Sequence, residues 1–331
     1  MIKSQLRTLL LEAVQKVCPG AATPTFEIER PKVKAHGELS TNLALLLGKS
    51  VGKKPLELAQ AIADSLQRQG TFLERVEVAG GGFVNFTLKK SVWQESLREI
   101  DRLGDRFGRS STGQGKKVNV EFVSANPTGP IHIGNARGGP LGDTIAELLD
   151  WVGYAVTREY YVNDVGGQIE KLGQSIQHDL FPEAPLEVGY LGSYIHELAE
   201  RAKLKNVRIT PEELGKFGME EMMTENRMTC EAMEIHFRNN FVKESDILAK
   251  KTEKIVERLK KQGVAVEKDG ALWLATQDEF LQDRECVLVR SDGRPTYFAN
   301  DIAYHVDKYE RGFDRIIDVW GSNHHGHVPR M

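Results

Sequence analysis

The chain has 331 residues, of which 40% are hydrophobic and 27% charged, and its formal net charge is −3. These values suit an ordinary globular protein of about two domains and exclude a collagen-like, disordered or helical membrane-spanning chain. The near-neutral balance supplies no overall basic field for nucleic acid, so any such contact must rest on local patches.

In chain order, the start "MIKSQLRTLLLEAVQKV" is not built like a signal peptide. Ile2, Leu6, Leu9, Leu10, Val14 and Val17 share one helical face, and Glu12 interrupts the apolar run. Periodicity predicts helices over 2–17, 39–50 and 55–69, and strands over 25–29, 74–79 and 82–88. Gly80, Gly81 and Gly82 break the last two strands into a hairpin. A helix over 91–103 follows, and then "GRSSTGQGKK" (108–117), which has linker composition. Residues 1–110 are therefore expected to form a small N-terminal α/β domain and 111–331 a second domain. Cys18, Cys230 and Cys286 are far apart with no CxxC pair, which fits a reducing cytoplasm and gives no disulfide or zinc framework.

The second domain opens with "KVNVEFV", a buried type of strand. A helix follows in which Leu141, Ile145, Leu148 and Val152 recur at three and four residues. A strand over 155–162 and a helix within 164–180, with Asn163 and Asp164 as caps, continue the alternation, which implies a parallel sheet with crossovers. From about 187 to 262 the pattern is nearly all helical and reads as an insertion. Turns at Lys268-Asp269-Gly270 and Ser291-Asp292-Gly293, a helix over 301–310 and a strand over 315–320 complete the chain.

The chemistry concentrates in "EFVSANPTGPIHIGNARGGPLGD". A strand ends near Ser124, and a Pro/Gly turn leads to a helix beginning near Gly134. That junction lies at the carboxyl end of a strand, where open α/β sheets bind ligands. Gly134 lets a ring or phosphate approach the backbone, the first helical turn offers unpaired N–H groups, and His132 and Asn135 can donate to charge developing on phosphate oxygens. Taken alone, the same residues also describe a glycine-containing turn with a satisfied histidine.

The longer pattern is specific. "HIGN" followed by "ARGGPLGD" resembles the HIGH signature of class I aminoacyl-tRNA synthetases, and the whole stretch resembles arginyl-tRNA synthetases in particular. So do "REYYVNDVGGQI", "YFANDIAYHVDKYERGFDRIIDVWGSNHHGHVPRM" and, in the first domain, "FEIERPKVKAHGELSTNLAL". The resemblance implies an incomplete Rossmann-like, HIGH-type nucleotide-binding domain with a helical insertion, behind an N-terminal domain that contacts the tRNA elbow. It implies arginine, ATP with accompanying magnesium, and tRNA as partners, in a cytoplasmic monomer that does not bind membranes. The reaction it implies is arginine activation to arginyl-adenylate and transfer to the 3′ end of tRNA. His132 and Asn135 carry the catalytic and, with Gly134, the ATP-binding positions. Asn126, Glu121, Tyr297, Asp301 and His324 match or neighbour arginine-binding positions, and no resident metal site is implied. Without the resemblance, Asp301 reads as the N-cap of "NDIAYH", Glu121 as an exposed strand residue, and "NHHGH" as a metal or nucleotide-lining cluster. Residues 89–117 hold eight basic side chains against four acidic ones, a local excess able to meet phosphates or to form a solvated face.

Three features depart from the family pattern. Asn135 stands where HIGH ends in His, so that position donates but carries no charge. Pro140 requires the regular helix to start around 138 or kink there. No KMSK-like string occurs before Met331, so the chain is expected to be an N-terminal portion of a synthetase whose own charging activity is doubtful. A non-catalytic RNA-binding paralogue is the alternative from another class.

Overall fold

The structure is a computed structural model that describes residues 2–67, 72–184, 186, 188–238, 240–248, 251–275, 286–321 and 328. Its contacts divide the chain into two compact units, 1–107 and 108–331.

Unit 1 contains α1 (Ile2–Val17), β1 (Ile28–Glu29), β2 (Leu39–Thr41), α2 (Leu43–Val51), α3 (Pro55–Gln67), β3 (Leu73–Ala79), β4 (Phe83–Leu88) and α4 (Lys90–Leu103). The strands form an antiparallel sheet of order β1-β2-β4-β3. Leu6, Leu10 and Val14 of α1 and Leu58 and Ile62 of α3 share its core with Val84 and Phe86 of β4. The expected helix over 39–50 starts late. Leu39-Ser40-Thr41 instead pairs with Val84–Phe86, and the Thr41 hydroxyl accepts the Leu43 N–H at 3.3 Å. Sheet pairing has overridden a local helical pattern there. The expected strand over 25–29 shortens to Ile28–Glu29.

Unit 2 begins with residues that sequence composition marks as linker but that are tied down. Ser110 N–H donates to Trp151 O at 3.1 Å, Gly113 N–H to Val152 O at 2.8 Å and Gly115 N–H to Gly153 O at 2.8 Å. The Arg109 guanidinium lies 4.6 Å from the Trp151 ring centre. The elements then run β5 (Lys117–Glu121), α5 (Ile133–Ala136), α6 (Gly138–Trp151), β6 (Ala155–Val162), α7 (Gly167–Leu180), α8 (Ser193–Leu204), α9 (Pro211–Ala232), β7 (Phe241–Lys243), α10 (Glu244–Leu248), α11 (Thr252–Lys261), β8 (Ala265–Lys268), β9 (Ala271–Leu274), β10 (Val287–Val289), α12 (Tyr297–Glu310) and β11 (Arg315–Asp318). The main sheet is parallel, with order β11-β5-β6-β7. Successive strands leave β5 on one side and the last returns on the other, so the carboxyl ends of β5 and β11 flank a topological switch point. β8, β9 and β10 form a separate antiparallel sheet, turned at Asp269 and Gly270, both with positive φ as a two-residue hairpin requires.

Three expectations change in this unit. The stripe Leu141, Ile145, Leu148, Val152 marks a helix but only part of its buried face, with Ile145 packed on the core. Leu141 and Leu148 are 55% and 61% exposed, whereas Gly139, Gly142 and Ala146 are buried. A Cβ at Gly142 would run into the Phe122 side chain, so α6 approaches the sheet at a distance only small residues permit. The helical run over 187–262 is interrupted by β7, whose three residues pair with Tyr160–Val162, too few for an alternation signal. Asp164 does not cap α7, whose N-cap is Gly166; its carboxylate instead accepts the Ser245 N–H at 2.9 Å and hydroxyl at 2.7 Å, at the start of α10.

α12 packs on the sheet through polar groups. Glu159 of β6 accepts from the Tyr304 hydroxyl at 2.6 Å, from both terminal nitrogens of Arg311 at 2.6 and 2.9 Å, and from Asn119 at 3.0 Å. Burial pushes the Glu159 carboxyl up, but these donors outweigh it and hold its pKa below the ordinary value.

The crossover from β6 to β7 carries its own core, in which Leu172, Ile176, Leu198, Ala199, Leu214 and Met222 join α7, α8 and α9. α7 and α9 cross where Gly173 faces Gly215, and a Cβ at Gly173 would overlap the Pro211 carbonyl oxygen. Because that obstacle is backbone, Gly173→Ala should destabilise the chain by about 1–3 kcal/mol through overpacking. Urea unfolding followed by circular dichroism measures this; an unchanged midpoint would mean that the helices can separate without penalty.

Candidate active site

A cleft of about 980 Å³ opens at the switch point. It is lined by the segment after β5, the segment after β11, one face of α12, Tyr161 of β6, and Tyr190 and Tyr194 of the crossover. Of the residues singled out in the sequence, Glu121, Asn126, His132, Gly134, Asn135, Tyr297 and Asp301 all border it. His324, with the rest of "NHHGH", lies outside the described residues.

The segment after β5 is held in an unusual backbone. Val123 and Ser124 both have positive φ, 66° and 37°, and Ser124 N–H returns to Phe122 O at 2.9 Å. Two adjacent non-glycine residues in this region are strained and persist only under outside constraint. The constraint is visible. Ser124 Oγ donates to Glu121 Oε1 at 2.8 Å and accepts the Tyr161 N–H at 3.0 Å, while the Tyr160 hydroxyl donates to Ala125 O at 2.8 Å. Asn126 follows at once and is exposed toward the cleft.

His132 is the N-cap of α5, and its Nδ1 accepts the Gly134 N–H at 3.1 Å. A neutral ring with Nδ1 as acceptor carries its hydrogen on Nε2, so the cap fixes the tautomer and leaves a donor for the cleft. This corrects the expectation of unpaired N–H groups at the helix start. Gly134 N–H is taken by the ring, and those of Asn135 and Ala136 by His132 O at 3.0 and 2.9 Å. Donors that this segment offers to the cleft include the imidazole Nε2–H, the Asn135 amide and the Arg137 guanidinium. A Cβ at Gly134 would stand 2.9 Å from the imidazole Cε1, so the capping arrangement favours glycine there.

α12 starts four residues earlier than expected, capped by Thr296, whose hydroxyl accepts the Ala299 N–H at 3.3 Å. Asp301 is therefore not a cap. It sits in the second turn, one turn beyond Tyr297 on the same face, and is 6% exposed. Behind it lies Glu244, 2% exposed, whose Oε1 accepts from Asn300 at 2.9 Å and whose Oε2 makes no hydrogen bond. Burial, reinforced by the Asp301 and Asp164 charges against the bond from Asn300, raises the Glu244 carboxyl to about 7. The buried Tyr161 hydroxyl also has no partner of good geometry, and its ring stacks on Tyr304 at 4.2 Å. The Asp301 carboxyl and the phenols of Tyr161 and Tyr297 thus gather at one wall with the Glu244 carboxyl buried behind it, an arrangement suited to a cation with several donors.

Glu121 is buried rather than exposed. Its Oε2 accepts from the Lys308 ammonium at 2.5 Å, and the same ammonium donates to Asp318 Oδ1 at 2.5 Å. His305 Nε2 completes the group at 3.2 Å from Asp318 Oδ2. Asp318 is held down at about 2: burial opposes its ionisation, but the His305 and Lys308 bonds and charges outweigh that. Sequence reasoning missed Glu244, Tyr161, Ser124 and Lys308. Asp301, Tyr304, His305 and Lys308 do recur at the three- and four-residue spacing of a single helix face, which was the available signal. Among the described residues no group of three or more metal-ligating side chains converges, and no helix is long and apolar enough to cross a membrane.

Comparisons with known proteins agree on one family. Residues 4–88 match the arginyl tRNA synthetase N terminal domain, and residues 102–331 match the catalytic domain of class I (R) tRNA synthetases. An arginine–tRNA ligase of Syntrophotalea carbinolica is 40% identical over 349 aligned residues, covering 100% of this chain and 63% of the relative. One from Desulforudis audaxviator is 44% identical over 325 residues, covering 94% of this chain and 58% of the relative. The Thermus thermophilus arginyl-tRNA synthetase structure superposes with a TM-score of 0.65 at 26% identity, covering 92% of this chain and 53% of that one. The chain spans about 60% of the length of the curated relatives it matches. With a family match across most of its length and a cleft at the switch point of a parallel sheet, the chain belongs to the class I arginyl-tRNA synthetases.

Proposed function

We propose that this chain carries the amino-acid and nucleotide sites of an arginine–tRNA ligase, which activates arginine with ATP and transfers it to tRNA. The observation that carries the reading is the acidic wall of the cleft, where Asp301 stands with Tyr297 and Tyr161 and the buried Glu244 carboxyl lies behind them. A guanidinium has five donors and no acceptor, and matches such a wall better than an ammonium does. Asn126 would take the α-amino group. His132, through Nε2–H, and Asn135 would donate to oxygens of the α-phosphate. The arginine carboxylate attacks the α-phosphorus, its bond to pyrophosphate breaks, and the resulting acyl-adenylate is then attacked by a hydroxyl of the terminal adenosine of tRNA, releasing AMP. Positioning and charge stabilisation suffice for both steps, so no side-chain nucleophile is needed. Magnesium arriving with ATP would neutralise polyphosphate charge. The reading carries with it tRNA contact by residues 1–110, a monomeric chain and a cytoplasmic location.

Calorimetric titration tests it directly. Arginine should bind, while lysine and the neutral analogue citrulline should bind far more weakly. Asp301→Ala removes a charge-assisted pair worth about 1.5–3 kcal/mol and should weaken arginine binding roughly 10- to 150-fold. Citrulline binding as well as arginine would sink the assignment.

Arginine affinity should also depend on pH with a definite sign. In the free site Glu244 holds its proton below about 7, because burial raises its pKa. A cation beside it favours the ionised form, so arginine must displace that proton at lower pH. Affinity should be highest above about 7 and fall by up to about tenfold per pH unit below it. Glu244→Gln should flatten this dependence between pH 5.5 and 7.5; a slope that survives the substitution assigns the titration elsewhere.

His132→Ala should lower the rate of adenylate formation by about 100-fold or more with little change in arginine affinity, because its donor acts on charge that develops in the transition state. Single-turnover measurement of adenylate separates the two quantities, and an unchanged rate would leave His132 as a helix cap alone.

A further inference from the structure

The Lys308 side chain is fully buried, so it touches no ligand, yet it joins the three elements that build the cleft. It rises from α12, four residues beyond Tyr304 and one face with Asp301, and its ammonium lies 4.5 Å from the Tyr304 ring centre. Its two acceptors, Glu121 and Asp318, end β5 and β11 and are register partners. Burial opposes the ammonium's charge, but the two carboxylates outweigh burial and raise its pKa, so the cation persists. From Glu121 the bonding continues through Oε1 to Ser124 Oγ, and from Ser124 Oγ to the Tyr161 N–H. Val123 and Ser124 form a left-handed pair separated from Asn126 only by Ala125, whose carbonyl accepts the Tyr160 hydroxyl. A strained turn needs an anchor, and this chain of bonds ends on the ammonium.

We propose that Lys308 is a positioning residue for the cleft: by holding Glu121 it fixes Ser124, and through Ser124 the turn that presents Asn126 to the substrate. This rests on reading the cleft as an arginine site. Lys308 acts only through others. Without the ammonium, Glu121 loses its cation in a buried setting where burial already raises its pKa, and a neutral, reoriented carboxyl no longer defines where the Ser124 hydroxyl sits.

The test uses the 331-residue chain with Lys308→Met, Ser124→Ala and the double variant Lys308→Met/Ser124→Ala. Thermal melts establish that each is folded. Arginine binding by calorimetry should weaken at least tenfold in each single variant. The double variant should be within about twofold of the weaker single one, since both changes cut the same chain of bonds. A merely structural lysine predicts losses that multiply. Amide hydrogen exchange provides a reading independent of any ligand. The Tyr161 and Ser124 amides should exchange at least tenfold faster in Lys308→Met, while those of Val118 and Val120 in the body of β5 stay as protected as in the parent. Should Lys308→Met not fold, Lys308→Met/Glu121→Gln, which buries neither charge, takes its place with the same expected losses. Parent-like arginine affinity in the folded variant, multiplicative losses, or unchanged exchange at Tyr161 and Ser124 would each overturn the proposal. If the parent chain binds no arginine, the arginine reading fails, and the exchange measurement alone still decides the role of Lys308.

Discussion

One ammonium group with no access to water organises unit 2. Lys308 lies between Glu121 and Asp318, and His305 faces Asp318 from the other side, so an ammonium and an imidazole meet two carboxyl groups at the floor of the cleft. Removing charges of this kind from water is expensive, and an apolar substitute of similar volume is often at least as stable. What an apolar cluster cannot supply is direction. Each carboxylate oxygen has a named donor, so the ends of β5 and β11 and the C-terminal half of α12 are fixed in register to within a hydrogen bond. The neighbouring Glu159, with Tyr304, Arg311 and Asn119, repeats the arrangement one layer away. α12 is thereby oriented by polar geometry in addition to the apolar contacts of Phe298, Ala299 and Ala303, and Tyr297 and Asp301 inherit that orientation.

The cleft built on this base has chemically unlike ends. Near α12 it gathers a carboxyl and phenols, with the buried Glu244 carboxyl behind them, whose Oε2 makes no hydrogen bond of good geometry. Near α5 it presents donors, because the His132 ring spends one nitrogen on Gly134 and turns the other outward. A cationic side chain at one end and an anionic phosphate at the other is the pairing such a cleft complements. The backbone between them is strained at Val123 and Ser124, which is where a rigid support matters most.

Much of this was legible in the sequence, and the failures have physical reasons. The alternation of strands and helices around "EFVSANPTGPIHIGN" located the cleft, because glycine, proline and a strand end are local signals. Periodicity found α6 but only part of its buried face, since Gly139, Gly142 and Ala146 carry little hydrophobic signal, while Leu141 and Leu148, which do carry it, face outward. β7 was invisible because three residues cannot display an alternation, and with it went Glu244, the next residue in the chain. Asp301 read as a cap because Asp commonly caps helices; the true cap, Thr296, lies where "RPTYF" reads equally well as strand. Lys308 was missed because a lysine on a helix is ordinarily solvated, and only tertiary structure brings two carboxylates to it.

The crossing of α7 and α9 bears on how the chain tolerates change in length. At Gly173 and Gly215 the two helices meet backbone to backbone, so neither can slide or rotate against the other by a residue without a collision. Insertions and deletions within either helix would shift that meeting point by about 100° per residue and separate the glycines. Drift in this region is therefore channelled into the connections on either side of α8, at 181–192 and 205–210, whose ends the paired helices hold in place. The crossover can lengthen, shorten or acquire new surface there while β6 and β7 keep their pairing.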